Sequence, residues 1–306
     1  MSEQEPVPSP PGTSLGLVDL AMLGVVLIWG SNFAVVKYAL NEMRPLAFNG
    51  LRFIFASALM AALVLLTQRS LRVERRDWGR LVLAGFMGNT IHQVSWIVGL
   101  AGTKAGNSSL LLATGPIFIA LLSAFAGLEA ITRRMWTGIL LSFAGIFLVI
   151  ANSGKALGLD TSTLLGDILT LLAAICWAIY TVLSKPLLQR YPPLKLTALT
   201  MAMGTPFILL AAIPDLAAQD WRAITWRGWL GLAYSFILAI SVCYIIYYQA
   251  IRVVGNARTG IYGNLVPVIA LVVAALTLNE KITPLQLMGA VVILVGIYLT
   301  RSGGSR

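Results

Sequence analysis

Charged residues are scarce in this sequence. They make up 11% of the 306 residues, whereas hydrophobic residues make up 58%, and the mean hydropathy is +0.83. An average soluble domain carries about 25% charged residues. The shortage excludes a soluble globular protein and indicates a protein that resides in a membrane.

Residues that build metal sites, catalytic dyads and disulfides are also few. There is one histidine, His92, and the two cysteines, Cys176 and Cys243, lie inside apolar stretches without metal-ligand spacing. All twelve acidic residues fall in tails, loops or the ends of apolar stretches. Catalysis within a membrane would need a buried acid pair, a zinc set or a Ser–His couple. We therefore expect no enzyme, no catalytic residue, no metal site and no cofactor.

What the chain does contain is a series of apolar stretches. A bilayer core about 30 Å thick takes about 20 helical residues to cross, and ten stretches of that order are present, at 17–40, 45–67, 79–101, 106–127, 136–152, 165–184, 194–213, 227–250, 258–278 and 284–301. Membrane barrels would show shorter, alternating segments instead. The sequence therefore predicts an all-α, polytopic membrane protein of ten transmembrane helices.

The basic residues indicate how these helices are oriented. Assigned to alternate loops, fourteen Lys and Arg residues fall on one side of the membrane and six on the other. The more basic side is expected to be cytoplasmic. This places both termini inside, with residues 1–16 as a disordered cytoplasmic leader. The net charge of +10 then reflects topology and does not indicate a nucleic-acid partner.

The chain also repeats itself. A shift of 148 residues superposes Trp29 on Trp177 and Lys37 on Lys185, and a shift of 151 superposes Pro116 on Pro267. Each copy holds five helices, residues 17–152 and 165–301. Because five is odd, the second copy enters the membrane from the opposite side. Such inverted repeats typify transporters that work by alternating access, with substrate bound between the halves.

These features resemble the drug/metabolite transporter (DMT) superfamily, and within it the ten-helix EamA-type transporters. The resemblance covers about residues 17–300 and is carried by the Trp-to-Lys first helices, Pro45, Arg52, Phe53, and the Pro116…Glu129 and Pro267…Glu280 segments. It implies two inverted five-helix repeats in a membrane, here expected to be a bacterial inner membrane. It also implies an exporter, with amino acids as the best-matched substrates.

Polar and aromatic residues inside the spans are candidates for the substrate path, because such groups are costly in lipid unless they face a cavity or a partner. Those with a shared helical face are Trp29, Asn32, Asn89, His92, Gln93, Trp96, Trp177, Tyr180, Thr181, Ser241, Tyr244, Tyr248, Tyr262 and Asn264. Together they predict an aromatic, neutral cavity for a small amphipathic solute. Interhelical hydrogen bonding or anchoring at the membrane interface is the alternative role for each.

Three further residues are candidates for hinge or gating roles. Pro116 and Pro267 lie near the middle of the fourth and ninth helices, where proline removes a backbone hydrogen bond and permits a bend. A fixed kink that only improves packing is the alternative for both. Arg52 lies about seven residues below the outer start of its helix, so that snorkelling to the surface, a structural pairing and a gate are all open.

The favoured function is an alternating-access exporter or facilitator of small amphipathic metabolites, above all amino acids. Drug efflux and exchange of phosphorylated or nucleotide-type metabolites are alternatives, as is a channel-like or receptor membrane protein. The expected partners are a small-molecule substrate and the lipid bilayer. The sequence leaves open whether the protein is a monomer or a homodimer.

Overall fold

The protein is a bundle of membrane helices. A computed structural model describes residues 16–125, 132–151, 161–247, 249–250 and 262–303, and these residues include no β-strand. Numbered in chain order, the helices are α1 Leu17–Ala39, α2 Pro45–Gln68, α3 Arg75–Gly102, α4 Ala105–Phe125, α5 Arg133–Ala151, α6 Thr161–Leu188, α7 Pro193–Ala218, α8 Trp226–Tyr247, α9 Val266–Leu278 and α10 Pro284–Gly303.

The ten helices confirm the predicted fold class. By length and composition, seven of the described helical segments, α1 to α4 and α6 to α8, are suited to crossing a membrane, and α9 and α10 contain shorter apolar segments. Several helices are longer than predicted: α3 begins at Arg75 instead of residue 79, α6 begins at Thr161 instead of residue 165, and α7 ends at Ala218 instead of residue 213. Helices continue past the hydrocarbon layer, so hydropathy alone underestimates their length.

The two repeats meet along pairs of equivalent helices. Ser57 of α2 and Thr205 of α7 are 148 residues apart, the offset that relates the repeats, and their hydroxyl oxygens lie 2.7 Å apart. Contact between equivalent residues is expected where a pseudo-two-fold axis passes. The interface between α2 and α7 therefore marks the axis of the inverted repeat.

Glycines allow α5 and α10 to pack closely near the same pseudo-two-fold axis. A Cβ placed on Gly138 would come within 2.6 Å of the carbonyl oxygen of Gly296, and one on Gly145 within 2.9 Å of that of Gly289. Gly138 is equivalent to Gly289, and Gly145 to Gly296. The seven-residue glycine spacing thus permits close approach of two helices within one chain.

Two π-helical segments break the regularity of α3 and α8 at equivalent positions. They cover Phe86–Ile91 and Tyr234–Val242. The offset of 151 residues superposes the first segment on the C-terminal part of the second. π-Helical turns are uncommon and are frequently found at functional sites. The candidates Asn89 and Ser241 lie within these segments, and the candidates His92, Gln93, Trp96 and Tyr244 follow them along α3 and α8.

Lys37 and Glu280 close the turn between α3 and α4. The Nζ of Lys37 donates to the carbonyl oxygens of Leu100, Ala101 and Thr103 at 2.6–2.8 Å, at the C-terminus of α3. Glu280 accepts from the backbone N–H of Ala105 at the N-terminus of α4, 2.8 Å away. A cation at a helix C-terminus and an anion at an N-terminus both match the helix dipole. The Lys of the repeated motif therefore has a structural partner.

Loops from both repeats are tied together at each end of the bundle. At one end Asp77 accepts hydrogen bonds from Arg190 and from the hydroxyl of Tyr191. At the other end Glu42 accepts from the backbone N–H and the hydroxyl of Thr225. Glu42 and Arg190 are equivalent residues at the offset of 148. The same position in the two repeats therefore forms a contact with the other repeat, through an acidic residue in the first and a basic residue in the second.

The glycine contact between α5 and α10 predicts an effect on stability. We expect Gly138→Ala to lower the midpoint of thermal unfolding in detergent, because the new Cβ would lie 2.6 Å from the backbone of Gly296 and Thr300. Overpacking of this kind costs about 1–3 kcal/mol. Gly24→Ala in α1 is the matched control, since no atom lies within 4 Å of its Cβ. An equal unfolding temperature for the two variants would contradict the close contact.

Candidate functional site

Predicted site residues from four helices converge with Arg52 of α2. We call the group the central cluster, and its members are Trp29, Arg52, His92, Gln93, Trp96, Trp177, Tyr180 and Tyr244. α1, α3, α6 and α8 contribute the other members, with two helices from each repeat. Trp29 and Trp177 are equivalent residues near the middle of α1 and α6. The cluster therefore lies inside the membrane, between the two repeats.

Trp29 joins α1 to α8. Its Nε1–H donates to the carbonyl oxygen of Ala239, 2.7 Å away, within the π-helical segment of α8. Its ring lies 6.3 Å from the ring of Tyr244 and 5.6 Å from that of Tyr247, measured between centroids. Trp29 therefore forms an aromatic wall on the α8 side of the cluster.

His92 and two aromatic residues of α6 form the opposite side. The Nδ1 of His92 lies 2.8 Å from the carbonyl oxygen of Ala173, which only accepts, so Nδ1 is the donor. The ring of His92 lies 5.3 Å from Trp177, whose ring lies 5.2 Å from that of Tyr180. A row of three rings results, with its first member fixed to the backbone of α6.

A glycine in the π-helical segment of α3 makes room for this row. A Cβ on Gly88 would lie 2.3 Å from the ring of Tyr180, so any larger residue would displace that side chain. The hydroxyl of Tyr180 in turn lies 3.4 Å from that of Thr200 on α7. Gly88 thereby determines how closely Tyr180 approaches α3.

Arg52 is buried inside the protein, and the interpretation that it snorkels to the membrane surface is wrong. It is 2% exposed. It donates to Oε1 of Gln93 and, at 3.4 Å, to the hydroxyl of Ser235. Its Cζ lies 4.8 Å from the centroid of the Trp96 ring and 5.3 Å from that of Phe53. These inward partners stabilise the buried position of the side chain relative to one in which it reaches water at the membrane surface. A gating role for Arg52 stays a prediction.

Several buried polar atoms in and beside the cluster have no hydrogen-bond partner among the described residues. They are Oδ1 of Asn32, both side-chain amide atoms of Asn49, Nε of Arg52, Nδ2 of Asn89, Nε1 of Trp96 and Oγ of Ser184; Oγ of Ser123 on α4 is a further such atom outside the cluster. Asn32 is one helical turn beyond Trp29, and Asn89 is one turn before Gln93. Buried polar atoms are nearly always paired in folded proteins. Their concentration here is the feature expected of a site that binds a polar solute.

Two predicted residues use their hydroxyls within their own helices. Thr181 Oγ1 donates to the carbonyl of Trp177 at 2.8 Å, and Ser241 Oγ donates to that of Phe236 at 2.9 Å. The latter bond spans five residues, in keeping with the π-helical turn that contains it. Neither hydroxyl proton points at the cluster in this arrangement, and their roles in substrate binding stay predictions.

The remaining predicted residues belong to the C-terminal part of the chain. Tyr262 donates to a carboxylate oxygen of Asp19 near the start of α1, ten residues before Trp29. Asn264 lies in the turn that precedes α9. The structure thus does not bring Tyr262 into the central cluster, and Tyr248 lies outside the described residues.

Both predicted hinge prolines follow breaks in their helices. A turn at Ala113 and Thr114 interrupts α4, and Pro116 is the second residue of the helical segment that follows. A turn at Asn264 and Leu265 precedes α9, where Pro267 is again the second residue. Proline is well tolerated in the first turn of a helix because the missing N–H has no intrahelical partner. The breaks provide positions at which half-helices could reorient.

Three residues near the cluster were not among the sequence candidates. Phe33 packs against Trp96 with ring centroids 5.9 Å apart, Tyr247 contacts Trp29, and Ser235 contacts Arg52. The repeat contained a signal for Tyr247, which is equivalent to Trp96 at the offset of 151. No sequence signal distinguished Ser235, since its contact depends on how α8 packs against α2.

The chemistry of the cluster is suited to binding. It combines aromatic rings, amides, an imidazole and one guanidinium. No group of three or more His, Cys, Asp or Glu residues placed to hold a metal ion occurs within the described part of the chain. Aromatic walls with a few convergent polar groups are typical of small-molecule sites.

Comparison with known sequences identifies relatives along almost the whole chain. The EamA-like transporter family matches residues 16–151 and 164–302. An uncharacterized transporter of Archaeoglobus fulgidus is 30% identical and covers 90% of this chain and 94% of its own length. Probable amino-acid metabolite efflux pumps of Salmonella typhimurium and Escherichia coli are each 30% identical and cover 93% of this chain and 94% of their own length.

The fold has a counterpart among solved structures. One crystal structure superposes with a TM-score of 0.65 and covers 94% of this chain and 98% of its own, at 17% sequence identity. At this identity the similarity concerns the fold.

His92 predicts a test of the cluster. We expect His92→Ala to lower the rate of substrate exchange about tenfold, because it removes a buried hydrogen bond and leaves the Ala173 carbonyl without its donor. His92→Gln keeps a donor and should retain much of the exchange. The measurement is exchange of labelled substrate in proteoliposomes. Uphill accumulation under a pH difference that vanishes in His92→Gln would instead identify His92 as a proton carrier.

The helix breaks predict that substitutions of the two prolines affect the rate of substrate exchange more than the affinity for substrate. We expect Pro116→Ala and Pro267→Ala to slow exchange several-fold while substrate affinity changes little, because alanine has a backbone N–H and an unrestricted φ and therefore no longer favours the break before it. Pro214→Ala in α7 is the control, since this proline lies inside an unbroken helix. Unchanged turnover with weakened binding would contradict a hinge role.

Proposed function

Since this chain belongs to the EamA-like transporter family, we propose that it exports small amphipathic metabolites, foremost amino acids, by alternating access. The proposal rests on one observation above all, the central cluster between the repeats. Two repeats of opposite orientation can exchange conformations and so expose a site between them to either side of the membrane in turn. The cluster has contributions from both repeats, as that mechanism requires.

The composition of the cluster favours a zwitterionic solute. Trp29, Trp177 and Tyr180 offer apolar surface to a side chain, while Arg52 and the amides of Asn32 and Asn89 offer polar contacts. A phosphorylated metabolite would call for several cations, and Arg52 is the one cation in the cluster. An amino acid, with one carboxylate, one ammonium group and a side chain, fits this inventory better.

Two relatives support the choice of amino acids. The proteins of Salmonella typhimurium and Escherichia coli that are 30% identical to this chain are named probable amino-acid metabolite efflux pumps. Drug efflux by cation–proton exchange is less favoured, because the central cluster contains no carboxylate that could trade a proton for a cation.

We also propose how the protein is oriented in the membrane. The fourteen-to-six distribution of basic residues favours a cytoplasmic position for both termini. In a bacterial inner membrane, export would then run from the side that carries the termini to the side of the Glu42–Thr225 link.

Counterflow in proteoliposomes tests the proposal. We expect efflux of a preloaded, labelled amino acid to accelerate several-fold when the same unlabelled amino acid is added outside, because a loaded carrier reorients in both directions. The panel should comprise the twenty common L-amino acids, with protein-free liposomes as the control. A channel would show flux without acceleration from the opposite side, and a receptor would show no flux, so either outcome would refute alternating access.

A further inference from the structure

Arg52 is a buried cation that has no acidic partner in the described part of the chain. It is 2% exposed, and no carboxylate lies within 4.0 Å of its guanidinium among the described residues. Removing a cation from water without a counter-ion is expensive. The equivalent position in the second repeat is Thr200, so the shared fold does not require a charge here. A function particular to this site is therefore needed to explain the arginine.

The contacts that the structure describes for the guanidinium are all with neutral groups. Gln93 and Ser235 accept hydrogen bonds, and the rings of Trp96 and Phe53 lie within about 5 Å of its Cζ. Contacts of a cation with ring faces stabilise it partly. Arginine carries five N–H donors in a fixed fork, and its Nε is left without an acceptor. The side chain is thus held in place with its capacity to bind an anion incompletely used.

Further unpaired donors lie beside it. The Nε1–H of Trp96 has no acceptor, and the Nδ2 of Asn89, two turns earlier on α3, has none either. Three unpaired donors in one buried region are unexpected, because buried polar groups normally have a hydrogen-bond partner. Asn49, one turn before Arg52 on α2, has an unpaired oxygen as well as an unpaired nitrogen, so unpaired donors outnumber unpaired acceptors around Arg52. A carboxylate provides two acceptor oxygens for the excess donors.

The neighbouring helix α1 contains an unpaired acceptor, which lacks a donor. Oδ1 of Asn32 on α1 is an acceptor without a donor, and the next residue, Phe33, packs against Trp96. An α-ammonium group would supply donors at this point. The distribution of unpaired donors and acceptors therefore matches the two charged groups of an amino acid.

Lys37 provides a contrast within the same chain. It too is a cation in a membrane helix, but three backbone carbonyls accept its hydrogen bonds. Its charge is used to close the end of α3. Arg52 has no comparable structural use for its Nε, which separates it from the cations that only stabilise the fold.

We propose that Arg52 binds the carboxylate of the transported solute, assisted by the Nε1–H of Trp96. This assignment rests on the proposed transport of amphipathic metabolites and makes the substrate class narrower: a solute must carry a carboxylate to be bound well. A carboxamide or an amine of the same size lacks the charge that Arg52 complements.

The test compares acids with their carboxamides. Isothermal titration calorimetry on the full chain in detergent would use each of the twenty common L-amino acids and the carboxamide of every one that binds. The wild type should bind the acid at least tenfold more tightly, because a hydrogen bond between charged groups is stronger than a neutral one. Arg52→Gln should weaken binding of the acid about ten- to hundredfold and leave the carboxamide nearly unaffected.

Two further, more conservative variants distinguish a loss of carboxylate binding from misfolding. Trp96→Phe keeps the ring under the guanidinium and removes only the N–H, so we expect a loss of about three- to tenfold for the acid alone. Arg52→Lys keeps the charge without the fork and should retain part of the preference. Arg76→Gln and Trp136→Phe, both at exposed positions outside the cluster, are the matched controls and should bind as the wild type does.

The outcomes separate this inference from the proposed function. Equal affinity of the wild type for acid and carboxamide, or equal weakening of both by Arg52→Gln, would overturn the carboxylate assignment while leaving transport intact. Binding of no amino acid, together with absent counterflow, would overturn the proposed function as well.

Discussion

Lipid offers no hydrogen bonds, so every polar group inside the bilayer has to find its partner within the protein. Helices meet this demand for the backbone, and at their ends charged side chains meet it. Lys37 does so for the last carbonyls of α3, and Glu280 does so for the first N–H groups of α4. Where the demand is left unmet, as at Arg52 and Trp96, the exceptions support our proposal that this region binds a polar solute.

The inverted repeat explains both the regular and the irregular features of the bundle. Contacts near the pseudo-two-fold axis, such as Ser57 with Thr205 and Gly138 with Gly296, join the two halves by matching surfaces. The cluster departs from this symmetry, because Arg52 is equivalent to Thr200 and His92 to Cys243. In the proposed mechanism, the symmetric frame allows two access states of similar stability, and the asymmetric cluster binds an asymmetric solute.

The helices of the site could be predicted more readily than its contacts. Helical spacing placed Asn89, Gln93 and Trp96 on one face of α3, and repetition linked Trp29 with Trp177. The same pattern included Tyr262, whose hydroxyl instead binds Asp19. Regular 3.6-residue periodicity also gave no sign of the π-helical segments, which change the direction of every side chain that follows.

The amino-acid sequence by itself determined the membrane environment, the ten helices and the inverted repeat. Each depends on composition, on the length of apolar stretches or on residue identities at a fixed offset, and these are properties of the linear chain. Only the tertiary structure decided that Arg52 is buried against Gln93 and Trp96. A long side chain near a helix end can reach either water or the interior, and the choice depends on the partners that neighbouring helices provide.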